Sequence, residues 1–193
     1  MTTPATPDSP PAGAALNELL TRYSVGPKHL TEPGPSVEQI LLAAAAALRA
    51  PDRHNLQPFR FILIGDGRRA ELGELFADCA RRLGKPPAEI EIERQRAQLG
   101  PVLVAFAAHL EDDSRVLAHE QWIAAGGALS NFLTALHMMG FGAKVLSGRK
   151  AQDPAIVRAL CEPGETLVGW IAAGTPTKAP HARETDTVSY THL

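Results

Sequence analysis

The 193-residue sequence has little from which a covalent or metal-based framework could be built. It contains two cysteines, Cys79 and Cys161, which stand far apart and form no CxxC or zinc-ligand spacing. The seven histidines are scattered without ligand-like pairing, so we expect no bound metal. So few cysteines are typical of a reducing compartment, and we therefore expect a cytoplasmic protein.

An excess of one charge is also missing. The 19 Lys and Arg residues are balanced by 21 Asp and Glu residues, and the formal net charge is −2. Neither nucleic acid nor an anionic membrane is therefore an expected partner. Residues 121–143 carry no formal charge and are long enough to span a bilayer. Their polar side chains and internal glycines instead favour a helix that is buried inside a protein assembly.

Common catalytic motifs are absent as well. No GxGxxG follows a predicted strand, and there is no Walker A motif, nucleophile elbow or HExxH. Gly65-Asp66-Gly67 does follow a predicted strand, but it lacks the third glycine and is interpreted as a turn. The sequence thus gives no sign of a nucleotide-binding Rossmann unit, a hydrolase triad or a zinc protease.

What the sequence does contain is a mixture of helical and strand periodicities. The spacing of apolar residues predicts helices over about 14–22, 36–50, 72–83, 89–99, 121–140 and 154–160. Strands are predicted over about 59–64, 101–109, 143–146 and 166–173. Because strands and helices do not alternate regularly, the fold class is α+β. We expect one domain over 14–193, after a disordered lead-in over 1–13 and with a polar tail from about 177.

Three polar segments lie at the edges of apolar elements. Arg22-Tyr23-Ser24 follows the first helix, and its charge and hydroxyls could hold a phosphate, although a surface arginine is the plainer interpretation. Residues 49–58 are rich in hydrogen-bond donors and are bracketed by prolines; a structural turn explains the prolines but not the donors. Leu146-Ser147-Gly148 follows an apolar run, and its backbone N–H groups could face a ligand.

Five short motifs in a fixed order identify a resemblance that runs from about residue 15 to 178. They are Arg22-Tyr23-Ser24, Arg49-Ala50-Pro51-Asp52 with Gln57-Pro58-Phe59, Gly140-Phe141-Gly142, Ser147-Gly148 and Gly174-Thr175-Pro176. Together they resemble the nitroreductase family, in particular its short single-domain flavoproteins. Tyr23, Arg53 and Phe59 depart from a frequent Arg, His and Trp of that family. Lys28 stands near a frequent second arginine and would supply charge without a bidentate fork.

The resemblance implies a homodimer with a mainly antiparallel sheet flanked by helices, a long buried helix in the dimer interface and two FMN molecules between the subunits. Three groups of residues would surround each FMN: one for the phosphate and ribityl chain, one from the partner subunit and one that completes the phosphate side. They are respectively Arg22, Tyr23 and Ser24; Arg49, Arg53 and Asn55; and Leu146, Ser147 and Gly148. The small residues Gly126, Gly127, Ala128 and Ser130 would let two long helices approach, and the tail would wrap over the partner.

The activity that the resemblance implies is hydride transfer from NAD(P)H through FMN to nitroaromatic, quinone or similar organic acceptors. Such chemistry belongs to the cofactor, so we expect no catalytic side chain. Arg49 or Arg53 would stabilise the negative charge of the reduced flavin. Two alternatives stay open: other flavin redox chemistry, such as a dehydrogenase, and a non-enzymatic flavin-binding dimer. Consumption of NAD(P)H with a nitroaromatic or quinone distinguishes the reductase from both.

Overall fold

The computed structural model describes residues 12–112 and 115–178. Its helices are α1 (Ala12–Thr21), α2 (Val37–Ala47), α3 (Asp66–Arg82), α4 (Pro87–Gln95), α5 (Ala118–Met138) and α6 (Pro154–Leu160). Its strands are β1 (Leu30–Thr31), β2 (Phe59–Leu63), β3 (Val102–His109), β4 (Gly142–Leu146) and β5 (Glu165–Pro176). Nearly all of the predicted lead-in, and the tail beyond residue 178, lie outside the described residues.

The five strands form one sheet in which each strand pairing is antiparallel. The long strand β5 lies in the middle, with β3 and then β2 on one side of it. Both β4 and the short β1 pair with the other side of β5, where Lys144 lies opposite Ala172 and Leu30 lies opposite Pro176. The α+β architecture and the antiparallel sheet are thus as the sequence predicts.

Helices cover both faces of the sheet, because successive side chains of β3 and β5 point to opposite faces. We call these the α3 face and the α5 face after the longest helix on each. The core of the α3 face includes Leu72, Phe76, Leu103, Ala105, Trp170 and Ala172. The core of the α5 face includes Ala43, Val104, Phe106, Phe132, Ile171 and Ala173.

Helix α2 begins with the predicted capping box. The Ser36 hydroxyl accepts a hydrogen bond from the Gln39 backbone N–H (3.3 Å), and the Ser36 N–H donates to Gln39 Oε1 (2.8 Å). Alanines and Ile40 form its buried side, whereas Val37 and Leu41 are 56% and 63% exposed. Its larger apolar side chains therefore remain on the surface of the single chain.

Helix α5 is buried on one side only. Phe132 and Leu136 are fully buried, whereas Trp122 and Ile123 are exposed. The expectation that four small residues face a second helix is wrong for two of them. Ala128 is fully buried in its own chain, and a Cβ on Gly127 would lie 3.2 Å from the Cβ of Ala50. The exposed Gly126 and Ser130 stay available for a partner.

The buried polar residue of α5, Gln121, is satisfied by hydrogen bonds. Its Nε2 donates to the carbonyls of Glu111 (3.1 Å) and Val116 (2.9 Å), and its Oε1 accepts from the Glu111 N–H (2.9 Å). The start of α5 is thereby tied to the segment that leaves β3. None of the described helices combines the length and the apolar character needed to cross a bilayer.

Candidate cofactor-binding site

Strand β4 joins the first and third of the polar segments noted in the sequence. Ser24 forms an isolated parallel bridge with Ala143, and the Val25 N–H donates to the Ala143 carbonyl (3.1 Å). A Cβ on Gly142 would lie 2.7 Å from Cγ2 of Val25, closer than real Cβ contacts. Glycine at this position therefore lets the segment after Arg22 lie directly against β4, whose end carries Leu146.

A cavity of about 520 Å³ opens beside this junction. It is lined by residues 26–29, by β4 and Ser147, and by apolar and aromatic side chains of the α3 face, among them Phe76, Leu103 and Trp170. Five basic side chains also line it: Lys28, His29, Arg96, Lys144 and Lys150. An apolar cavity of this size with a few directed polar groups is typical of a small-ligand site.

The lysines of the cavity are of two kinds. Within residues 12–112 and 115–178, no carboxylate lies within ion-pair distance of Lys28 or Lys144, and both side chains are exposed. Lys150, by contrast, donates to Glu93 Oε2 (2.7 Å), and its Nζ lies 4.0 Å above the centroid of the Phe76 ring. The first kind is free to bind an anionic ligand, and the second is already part of the protein's own network.

Glu93 is the centre of that network. Its side chain is only 6% exposed and accepts hydrogen bonds from Lys150, Lys85 (2.8 Å) and Arg96 (2.9 Å). Burial by itself would raise the pKa of Glu93, but the bonds from Lys150 and Lys85 and the nearby positive charges outweigh it and lower the pKa to about 2. Burial lowers the pKa of Lys150, and the contact with Glu93 opposes that change. The carboxylate thus supports the charged form of a largely buried lysine.

Close packing of β4 on β5 shapes the inner end of the cavity. A Cβ on Gly169 would lie 2.3 Å from the Leu146 carbonyl oxygen, so only glycine allows this approach. The Ser147 hydroxyl donates to the Val168 carbonyl (2.8 Å). Next in β5, Trp170 lines the cavity and is 3% exposed, and its indole Nε1 has no hydrogen-bond partner in the described part of the chain. A buried N–H donor without a partner costs free energy.

Of the residues predicted to bind FMN from the same chain, Arg22, Tyr23, Ser24 and Gly148 lie near this cavity but not in its wall. Tyr23 lines a neighbouring cavity, and its hydroxyl donates to the Lys178 carbonyl (2.6 Å). Arg22 is half-buried at the end of α1, and Gly148 lies just beyond Ser147 with φ at 123°. Leu146 and Ser147 do line the cavity beside β4, so two of the residues predicted to complete the phosphate side of the site lie in its wall.

The group that is predicted to come from the partner subunit lies elsewhere in the single chain. Arg49, Arg53 and Asn55 follow α2 on the exposed surface and do not line this cavity. Arg53 forms an ion pair with Glu120 (3.1 Å). His54, Asn55 and Gln57 have φ of 61°, 54° and 51°, a left-handed conformation that is uncommon outside glycine. Such backbone is concentrated at functional sites, which is compatible with the predicted role of this loop.

The sequence interpretation missed most of the basic wall. Lys144 precedes the predicted Leu146 by two residues, so strand alternation places both on one side of β4 and could have pointed to it. Arg96 lies within the helix predicted over about 89–99, in a short 3₁₀ helix (Arg96–Gln98), but its spacing does not point to a cavity. Lys150 lies in a second 3₁₀ helix (Arg149–Gln152) that no sequence pattern indicates. Within residues 12–112 and 115–178, no cluster of His, Cys, Asp and Glu is arranged to hold a metal.

Comparison with known proteins agrees with this architecture. The model of the nitroreductase family matches residues 19–175. YdjA of Escherichia coli strain K12, provisionally named an NAD(P)H nitroreductase, is 29% identical over 163 residues, which cover 84% of this chain and 88% of YdjA.

Two solved structures have the same fold. A nitroreductase-like protein of Bacillus cereus superposes with a TM-score of 0.71 at 21% identity, covering 97% of this chain and 94% of that one. A protein of Desulfovibrio desulfuricans, provisionally named a nitroreductase and solved with FMN, superposes with a TM-score of 0.67 at 21% identity, covering 93% and 98%. The predicted family and fold class are confirmed: the chain belongs to the nitroreductase family.

Proposed function

We propose that this chain is an FMN-dependent oxidoreductase, which transfers hydride from NAD(P)H through the flavin to nitroaromatic, quinone or similar organic acceptors. The observation that carries the proposal is the basic and aromatic cavity beside β4, lined by Leu146 and Ser147. It occurs in a nitroreductase-family chain. Support also comes from YdjA, whose name contains NAD(P)H nitroreductase, and from the Desulfovibrio desulfuricans structure, which holds FMN.

The residues of the cavity fit the chemical parts of FMN. Lys28 and Lys144 are exposed cations without carboxylate partners in the described part of the chain, as a phosphate dianion requires. Arg22 and Ser24 would add to them from the adjoining segment. Aromatic and apolar side chains on the α3 face suit a flat ring system. When bound, FMN would supply the hydride chemistry itself, and the protein would bind it, orient it and exclude water.

The proposed active form is a homodimer with FMN at the interface. Large apolar side chains of three helices are exposed in the single chain: Leu16, Leu19, Leu20, Val37, Leu41, Leu42, Trp122 and Ile123. Helices α1 and α2 both pack against α5, and exposed apolar surface on neighbouring helices is typical of a protein–protein interface. A second copy that covers it would bring Arg49, Arg53 and Asn55 of the partner subunit towards the cavity. Two free cysteines are compatible with a cytoplasmic location.

The visible spectrum of the purified protein, before and after anaerobic addition of NADH or NADPH, tests the proposal. We expect flavin absorption bands that bleach on reduction and return when a nitroaromatic or a quinone is added. Bands that NAD(P)H cannot bleach would instead support a non-enzymatic flavin-binding dimer. A colourless protein that takes up no added FMN would overturn the proposal.

A further inference from the structure

We propose that Lys150, positioned by Glu93, lies against the ring of the bound flavin and stabilises the negative charge that reduction places there. The inference rests on the proposed function, since it requires that the cavity beside β4 binds FMN. Stabilisation of the reduced flavin, which the resemblance suggested for Arg49 or Arg53, is here assigned to a residue of the chain's own cavity wall.

The surroundings of Lys150 distinguish it from the other lysines of the cavity. Its side chain is 19% exposed and stands over the Phe76 ring, whereas Lys28 and Lys144 are exposed to solvent. A phosphate dianion favours the exposed lysines, because it remains partly hydrated when it binds. The largely buried ammonium beside Phe76 and Trp170 is instead suited to the apolar ring, where a charge acts through less water.

Glu93 keeps Lys150 in its charged form. A buried ammonium without a partner tends to lose its proton, because burial disfavours the charged form. Glu93 Oε2 accepts a hydrogen bond from Lys150 Nζ at 2.7 Å, and its Oε1 is bonded to Lys85 and Arg96. Glu93 therefore contacts three cations, and Glu89 also pairs with Lys85 (3.7 Å), so the cluster of three cations and two carboxylates retains one surplus positive charge. Glu93 does not line the cavity, so it acts as a positioning residue.

In the proposed function, NAD(P)H supplies the electrons for the redox step that this charge would affect. The nicotinamide gives up a hydride, two electrons and one proton, and is oxidised; the flavin receives them and is reduced. Unless a second proton is taken up, the reduced ring carries an added negative charge. A nearby fixed cation stabilises that form more than the oxidised form and so raises the reduction potential.

Lys85 supplies a matched control. It forms a hydrogen bond of 2.8 Å with the same carboxylate, but it does not line the cavity. Replacing Lys85 by Met therefore removes one cation from the cluster without changing the cavity wall. Lys150→Met removes the least exposed of the lysines that line the cavity, and Lys150→Arg retains a positive charge there.

The experiment measures the midpoint potential of bound FMN by anaerobic titration against a reference dye, together with the Kd for oxidised FMN. In Lys150→Met we expect a potential more negative by about 30 mV, which equals about tenfold weaker binding of reduced relative to oxidised FMN for a two-electron couple. Lys150→Arg and Lys85→Met should stay near the wild type. Glu93→Gln should shift the potential in the same direction as Lys150→Met, because the buried Lys150 would lose its proton without its carboxylate partner and would no longer supply a cation.

Each outcome decides between the claims. A Lys150→Met potential equal to that of Lys85→Met, in a protein that binds FMN, overturns the inference and leaves the proposed function intact. A wild-type protein that binds no FMN overturns the proposed function instead. An unshifted Glu93→Gln beside a shifted Lys150→Met removes Glu93 as the positioning residue. If Glu93→Gln does not fold, Glu93→Asp, which withdraws the carboxylate by one methylene, takes its place with the same expectation.

Discussion

The helices on the two faces of the sheet present different surfaces to solvent. On the α3 face, ion pairs close the surface, such as Arg94 with Glu74 (2.7 Å) and Arg82 with Asp153 (2.6 Å), and Glu93 is buried among cations. On the α5 face, Leu41 and Ile123 remain more than 60% exposed. Charged side chains thus cover most of the α3 face, which also contains the cavity, whereas the α5 face presents the apolar surface that the proposed homodimer would cover.

The comparison places the cavity on the α3 face and the largest exposed apolar side chains of the helices on the α5 face. Helix α3 carries charged residues along its whole length, but α2 contains one charged residue in eleven. Charged helices can cover a core and stay in water, whereas an alanine- and leucine-rich helix lowers its free energy by burial on both sides. The proposed flavin site would then be completed where the partner's Arg53 loop meets the cavity.

The largest effect should follow from a charge on the α5 face. Ile123→Glu would bury two unpaired carboxylates in the proposed symmetric interface, so we expect dimerisation to weaken about 1000-fold, or about 4 kcal/mol. Sedimentation equilibrium measures this, with a wild-type mass twice the 20.6 kDa of the chain. Ile92→Glu is the matched control, because Ile92 is 52% exposed on α4 at the other face. Dimers of equal strength in both variants would contradict the assignment of the faces.

A smaller effect is expected from the buried carboxylate of the α3 face. Glu93→Gln should lower the free energy of unfolding by about 2 to 3 kcal/mol at neutral pH, less than for a fully buried pair because Lys85 and Arg96 are partly exposed. Its folded-state pKa of about 2 lies below the ordinary 4.5. The stabilisation is therefore complete above pH 4.5 and is lost as the pH falls towards 2.

Urea unfolding of both proteins between pH 6 and pH 3 measures this dependence. The difference between wild type and Glu93→Gln should narrow as the pH falls. A difference that stays constant over this range would show that Glu93 contributes through packing and not through its charge.

The smallest effect on stability is expected for Arg53→Ala. The pair with Glu120 is exposed, so its loss should change the free energy of unfolding by less than about 1 kcal/mol. Binding of FMN should nevertheless weaken about tenfold, if Arg53 of the partner subunit reaches the flavin. Arg81→Ala breaks a similar exposed pair with Asp78 on α3 and should leave FMN binding unchanged. Equal affinities in the two variants would remove Arg53 from the proposed site.

Local patterns predicted most elements of the fold well. Helix α6 has the predicted bounds, since Pro154 follows an Asp153 side chain that accepts from the Ala155 and Ile156 N–H groups. Gly65-Asp66-Gly67 was wrong as a turn: Gly65 precedes α3, which begins at Asp66. Turn residues and helix starts share the same residue types, so only the following periodicity separates them. Strand β1 was missed because two residues are too few to show a periodicity. Only its pairing with β5 defines it as a strand.

The sequence by itself determined the α+β class, the family and the order of the elements other than β1, because each cap, periodicity and motif is formed by residues close together in the sequence. The tertiary structure alone decided the basic wall of the cavity and the burial of Glu93. Lys85, Glu93 and Arg96 lie in and around α4, but Lys150 comes from a distant segment, and nothing local distinguishes any of them from surface charges. Their environment exists only once the sheet and its helices have packed, because burial and charge partners are properties of three-dimensional contact.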